Sequence, residues 1–421
     1  VIMLRRLLNL TGPLSILLVM AGCTGGEHQT QSSSSHASPA DKIQAIDTSL
    51  TIASAIEAYD IDGDGDLDII SVGTTGEAMY WYEQLDGGEF REHLIAENMN
   101  EAYDIDVVDF DQDGDADIVA VQDQTVLMLF LNTAGSNASP IFEEKVITTS
   151  SFNCYEFCEI AIFDMDQNGI QDILLCTGQD CLRYLFDDIA NMQYRSAGAI
   201  QFNGAFVANL EPQDVNQDGY LDLTYSLRAV NELTVIPNNE DGTMDFSRRQ
   251  ILPMDFGYCA AHFDDINQDG IIDVALGSDL IIRNSAENSF FNTSMEILSF
   301  QYPLIDQGVA AHPHDGSAKA VDIDSDGDKD IIVGSKYGWY LYYENTTTEE
   351  FAVEIAPYGA KYFFYQPVTT GQPFNVSRPV QIQDINQNGL PDILINQVVD
   401  GQILWADLAY LHKNPMLLVE P

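Results

Sequence analysis

"DIDGDGDLD", residues 60–68, places five aspartates in nine positions, with no Lys or Arg among them. Like charges at that density repel one another in a folded chain, so something must offset them. The spacing names a candidate. Oxygens at positions 1, 3 and 5 of a tight bend can converge on one hard cation, and a glycine at position 6 lets the backbone turn sharply. Here those residues are Asp60, Asp62, Asp64 and Gly65; Asp66 at position 7 adds its carbonyl, and Asp68 at position 9 closes the shell. Calcium suits such a shell because it accepts about six to eight oxygens flexibly, whereas magnesium demands a tight octahedron.

The pattern D-x-[DN]-x-[DN]-G-x-x-D occurs seven times, and the stretches are numbered loops 1 to 7 in chain order. Loop 2, "DFDQDGDAD" (109–117), offers Asp109, Asp111, Asp113, Asp115 and Asp117; loop 3, "DMDQNGIQD" (164–172), offers Asp164, Asp166, Asn168, the Ile170 carbonyl and Asp172. Loop 4, "DVNQDGYLD" (214–222), has Asp214, Asn216, Asp218, Tyr220 and Asp222, and loop 5, "DINQDGIID" (265–273), has Asp265, Asn267, Asp269, Ile271 and Asp273. Loop 6, "DIDSDGDKD" (322–330), supplies Asp322, Asp324, Asp326, Asp328 and Asp330; loop 7, "DINQNGLPD" (384–392), supplies Asp384, Asn386, Asn388, Leu390 and Asp392. Successive starts lie 49 to 62 residues apart, a period that fits propeller blades or similar arrays. An EF-hand would need a bidentate Glu at position 12 between two helices. That position holds Ser71, Ala120, Leu175, Tyr225, Leu276, Val333 or Ile395. The flanks, such as "AYDIDVVDFD" and "ADIVAVQ", alternate or run apolar and β-branched, so each loop joins two strands. This also separates the loops from helical dockerin loops and from closely packed thrombospondin-type repeats.

In these residues the chain resembles FG-GAP and VCBS repeat proteins, whose calcium-loop blades also build integrin α-subunit propellers. The resemblance covers residues 43–405 and is carried by the aspartate loops and the strand after each, as in "DIIVGS" (330–335). The Phe-Gly and Gly-Ala-Pro signatures are mostly absent, which argues against an integrin-like ligand mode. The resemblance implies an all-β, seven-bladed β-propeller over residues 41–421, with a calcium loop between the first two strands of each blade and up to seven Ca2+. A period near 50 residues accommodates four strands, as in "EAYDID", "DLDIISVG", "AMYWYEQL" and "REHLIAE". The segment "KIQAIDTSL" (42–50) precedes loop 1 as "REHLIAENM" precedes loop 2, so it is expected to supply the outermost strand of the last blade. Loops 1, 2 and 6 have Asp at positions 1, 3, 5 and 9, loops 3, 4 and 5 have one Asn there, and loop 7 has two. Loop 7 is therefore expected to bind most weakly.

The 17 basic and 66 acidic residues give a formal charge of -49. That balance argues against nucleic acid and anionic lipid as partners, since phosphate binding needs Lys and Arg. The N-terminal "VIMLRRLLNLTGPLSILLVMAGC" has Arg5 and Arg6, an apolar stretch, then small residues before Cys23. "VMAGC" resembles a bacterial lipobox, with Met20 where Leu is usual. This implies a signal peptide over residues 1–22 and a lipidated Cys23; an uncleaved anchor and an ordinary signal peptide are the alternatives. Residues 23–40, polar and small, read as a flexible tether. With Thr24 after the Cys rather than Asp, the analogy with enteric lipoproteins points to the outer membrane. Five further cysteines, Cys154, Cys158, Cys176, Cys181 and Cys259, permit disulfides in an oxidising compartment. A Cys176–Cys181 or a Cys158–Cys176 bridge is expected, and the sequence alone does not fix the connectivity.

The residues three before each loop, Glu57, Asp106, Ala161, Glu211, His262, Lys319 and Gln381, are expected to line a central channel, while those two and four before it pack between blades. A hydrated channel with balanced charge is the plain reading of that row; acid/base chemistry by Glu57, Asp106, Glu211, His262 and Lys319 is the sharper one. Connections on the face opposite the calcium loops carry aromatics, in "SFNCYEF" (151–157), "QFNGAF" (201–206), "DFGYC" (255–259) and "QPFNVSR" (372–378), with "HPHDG" (312–316) beside them. Rings beside amides suit sugar or peptide recognition. The expected function is a calcium-binding, adhesive envelope lipoprotein that binds a protein or polysaccharide and meets the membrane only through its lipid. The alternative is a propeller enzyme, a polysaccharide lyase or hydrolase, working from the channel.

Overall fold

The computed structural model divides the chain into two units, residues 1–38 and 39–421. It describes the strands and loops between residues 43 and 408, except for residues 48–52, 202–206, 254–260, 283–289, 311–316, 346–360 and 365–380 and some shorter stretches. Residues 1–42 and 409–421 lie outside the described residues too, and with them the lipobox, Cys23 and the tether. The same holds for Cys259 and for most of the aromatic connections singled out above.

Seven four-stranded antiparallel sheets make up the described residues, together with one small two-stranded hairpin. The first holds β2 (Ala53–Tyr59), β3 (Asp68–Gly73), β4 (Ala78–Leu85) and β5 (Glu89–Glu97). The second holds β6 (Ile105–Val108), β7 (Asp117–Gln122), β8 (Val126–Asn132) and β9 (Phe142–Thr148). The third begins with β10 (Glu159–Phe163), β11 (Asp172–Cys176) and β12 (Asp180–Asp188). The fourth, fifth and sixth open with β14 (Val207–Gln213), β18 (His262–Asp264) and β24 (Ser317–Val321). The seventh runs β28 (Gln381–Gln383), β29 (Asp392–Gln397), β30 (Gln402–Asp407) and, at its edge, β1 (Ile43–Asp47). β1 pairs antiparallel with β30, the pairing expected for the segment at 42–50.

Second strands such as "DIVAVQ" and "DILLC" read as continuous apolar runs because both their faces are covered. Ile69 belongs to a cluster with Ile385, Leu394 and Trp405 of the seventh sheet, while its neighbour Ile70 packs with Val107, Ile118 and Phe130 of the second. Ile118 and Val119 likewise divide between the first and third sheets, and Ile173 and Leu174 between the second and fourth. The two-residue strand period thus sends alternate side chains to opposite neighbouring sheets. The fourth strands face water, as the largely exposed pattern of β5 and β9 shows.

First strands of neighbouring sheets also touch, from β2 through β6, β10, β14 and β18 to β24, and β2 contacts β28 and β29. This is an all-β architecture of antiparallel four-stranded sheets, consistent with a β-propeller. Among the described residues two disulfides are formed, Cys154–Cys158 and Cys176–Cys181. The second joins residues that face each other in the β11–β12 ladder, which decides between the two bridges the sequence left open.

Candidate metal centres

All seven loops fold on one hydrogen-bond frame. The position-1 carboxylate accepts from the glycine N–H at position 6: Asp60 from Gly65 (3.0 Å), Asp109 from Gly114 (3.1 Å), Asp164 from Gly169 (2.8 Å), Asp214 from Gly219 (2.9 Å), Asp265 from Gly270 (2.9 Å), Asp322 from Gly327 (3.1 Å) and Asp384 from Gly389 (2.8 Å). The position-5 side chain, Asp64, Asp113, Asn168, Asp218, Asp269, Asp326 or Asn388, accepts from the N–H of position 7 through Oδ1. Position 6 has φ between +81° and +100°, the left-handed region that favours glycine.

Position 9 does more than close a shell. Its carboxylate is at most 1% exposed in every loop. Oδ2 accepts from the position-2 N–H in six loops, for example Phe110 to Asp117 at 2.9 Å and Met165 to Asp172 at 2.8 Å. Oδ1 reaches the end of the third strand, accepting from the N–H of Gln84, Asn132, Phe186, Asn238 or Asn345 at 2.7 to 2.9 Å. One buried Asp therefore pins the bend to its own sheet.

Positions 1, 3 and 9 converge. In Asp60, Asp62 and Asp68, in Asp109, Asp111 and Asp117, in Asp164, Asp166 and Asp172, and in Asp322, Asp324 and Asp330, one oxygen from each residue lies within 4.8 Å of the others. Position 5 stands outside these sets, with its Oδ1 engaged by position 7. The Oδ1 atoms of Asp60, Asp109, Asp111 and Asp166 are buried and accept no hydrogen bond, which is how an oxygen reserved for a cation behaves. Burial raises Asp68, Asp117, Asp172, Asp330 and Asp392 to about 7, and Asp222 to about 6, against the lowering effect of their backbone donors. Burial first, and then the charge of the position-5 neighbour, raise Asp62 and Asp111. A hard divalent cation fits an all-oxygen set under this strain.

The loops are also tied to one another. Position 4 is left-handed in every loop, with φ of 74° at Gly63, 65° at Ser325 and 53° to 61° at Gln112, Gln167, Gln217, Gln268 and Gln387. Each of those glutamines donates Nε2–H to the position-6 carbonyl of the next loop: Gln112 to Gly169 (2.6 Å), Gln167 to Gly219 (2.8 Å), Gln217 to Gly270 (2.5 Å), Gln268 to Gly327 (2.7 Å) and Gln387 to Gly65. At position 2, Ile61, Phe110, Met165, Val215, Ile266, Ile323 and Ile385 are all buried to 1% or less. Ile61, Phe110 and Met165 lie in the core of the following sheet. Carboxamides at the third-strand end answer in the opposite direction, Gln84 donating to the Ile385 carbonyl (3.0 Å) and Asn238 to that of Met165 (3.0 Å). The aspartate spacing does not reveal these ties; the recurrence of Gln at position 4 is the signal that could have.

In the row three before the loops, Ala161 is buried and the six others are half-buried. Gln381 donates to Glu57 at 3.0 Å, and His262 Nδ1 lies 3.3 Å from both Glu211 Oε1 and Lys319 Nζ. Asp106 is raised to about 7 by burial and then by Asp104. Although burial acts the other way, the His262 ring 3.8 Å away and the Lys329 ammonium hydrogen-bonded at 2.6 Å hold Asp264 at about 2.

No curated protein matches the chain. Among solved structures it is similar to a lectin of Agrocybe aegerita described as recognising non-reducing terminal N-acetylglucosamine, at 17% identity and a TM-score of 0.47, covering 72% of this chain and 79% of that one. It is also similar to BBS1N in complex with ARL6DN in a lead-soaked crystal, at 10% identity and a TM-score of 0.47, covering 85% and 92%. Residues 60–120, 109–175 and 214–276 match the FG-GAP-like repeat, so the chain carries three FG-GAP-like repeats.

Proposed function

We propose that residues 41–421 form a calcium-loaded, seven-bladed β-propeller whose ring β1 closes. A lipid on Cys23 holds it at the outer membrane, where it binds a protein or polysaccharide. Its mechanism is rigid display: calcium fixes the loops of one face, and the opposite face recognises the partner. The observation that carries the reading is the convergence of three carboxylates in each of four loops, with buried oxygens that accept no hydrogen bond. Titration of metal-stripped protein with calcium, followed by calorimetry and thermal unfolding with magnesium as comparator, is expected to show several sites and a calcium-specific rise in Tm. No heat and no shift at millimolar calcium would end this reading. A glycan and envelope-protein screen in calcium and in chelator then addresses the partner, with binding expected in calcium only.

The contact of His262 with Glu211 and Lys319 favours a second reading, an enzyme acting on a polysaccharide from the channel. Glu211→Gln and His262→Gln separate the two, because they leave a binder's affinity unchanged and abolish an enzyme's turnover.

A further inference from the structure

Five of the seven junctions between consecutive loops are closed by a position-4 glutamine on the next loop's glycine carbonyl. The junction from loop 1 to loop 2 has the backbone for this tie but not the side chain. Gly63, at position 4, shares the left-handed conformation of the glutamines. The matching acceptor, the carbonyl of Gly114, receives no hydrogen bond among the described residues. A cavity of about 520 Å³ is lined by both glycines and by Tyr59, Asp60, Asp115 and Gln383 among others, a volume suited to a small ligand or one inserted side chain.

The chemistry of that cavity selects its occupant. The absent group is a planar N–H donor, so the free carbonyl calls for another. Loops 1 and 2 together hold ten aspartates, more negative charge than two divalent ions cancel. Asp115 is 7% exposed, with Oδ2 held by the Gly135 N–H at 2.7 Å. A guanidinium is planar, permanently charged, weakly hydrated and carries several donors; an ammonium is a compact point charge with a costlier hydration shell.

We propose that this cleft is a binding site for a guanidinium group, as an arginine side chain of a partner presents it, whose N–H groups take the place of the missing carboxamide on Gly114 while Asp115 and the negative charge left over on the two calcium-loaded loops balance its charge. The site lies among the loops themselves and is separate from recognition by the opposite face.

The test titrates the calcium-saturated chain with acetyl-arginine methylamide, using the citrulline analogue as an uncharged isostere, and follows binding by saturation-transfer NMR. Millimolar binding of the arginine probe is expected, with the citrulline probe at least about tenfold weaker. Gly63→Gln supplies the missing tie in a backbone that five sister loops already combine with Gln, and is expected to weaken the arginine probe at least about tenfold; Gly63→Ser, which copies Ser325 of loop 6, retains it. Should Gly63→Gln not fold, Asp115→Asn reads the same cleft and is expected to weaken the probe several-fold. Absence of millimolar binding, equal binding of the citrulline probe, or wild-type affinity in Gly63→Gln (or in Asp115→Asn in its stead) overturns the proposal.

Discussion

The carboxylate at position 9 is held by two opposing demands. Its hydrogen bonds to the bend and to the third strand need the charged form, while burial favours the neutral one and raises Asp68, Asp117, Asp172, Asp330 and Asp392 to about 7. Between the ordinary carboxylate value of 3.8 and about 7 the folded chain therefore binds more protons than the unfolded chain. Stability of the metal-stripped protein is thus expected to fall as pH rises through that window. Calcium competes for the deprotonated form, so the increment in Tm that it gives is expected to be largest near pH 8 and to shrink toward pH 5. Differential scanning fluorimetry across that range, on stripped and calcium-saturated protein, checks both slopes; a stripped protein that gains stability with rising pH contradicts the assignment. Spacing alone places an Asp here as a ligand. Its second role is not legible in the sequence, because the partner N–H of Asn132 lies 15 residues away and any residue type supplies a backbone donor.

Each loop is one interchangeable element, and its differences follow from its amides. In loop 7, Asn386 donates to Asp392 at 3.2 Å and Asn388 reaches Asp407 at 3.4 Å, so the amides satisfy buried acids that a cation would otherwise have to offset. Loop 7 is accordingly expected to bind calcium most weakly. Asn386→Asp sets a carboxylate against Asp392: it is expected to lower the Tm of stripped protein and to strengthen calcium binding at this loop by on the order of tenfold. Calorimetric titration with paired unfolding curves reads both effects, and unchanged affinity counts against carboxylate number as the determinant. The elements themselves were readable, since loop spacing and apolar, β-branched runs such as "DIVAVQ" fix the strands beside each bend. The left-handed position 4 was not, because glutamine carries no conformational preference of that kind. Nor could spacing choose between the two candidate cysteine bridges, which the register of β11 and β12 decides.

At the scale of the molecule, the seventh sheet draws on both ends of the described chain. β1 covers β30, which would otherwise present an open edge of unpaired backbone groups. Deletion of residues 1–47 is expected to lower Tm by at least about 5 °C and to produce concentration-dependent association through β30. Unfolding curves and light scattering after size exclusion check this, and a monomer of unchanged Tm removes β1 from the set of stabilising strands. The joining of distant segments was anticipated because 42–50 imitates the segment before loop 2.

The glutamine ties of loops 2 to 5 all run the same way along the chain, each of these four repeats reaching forward with an amide to a carbonyl of the next. Donor and acceptor thus travel in a single segment of coding sequence. A tandem duplication of that segment arrives already complementary to itself and to both its neighbours, so an array of this kind can lengthen by copying without inventing a new contact.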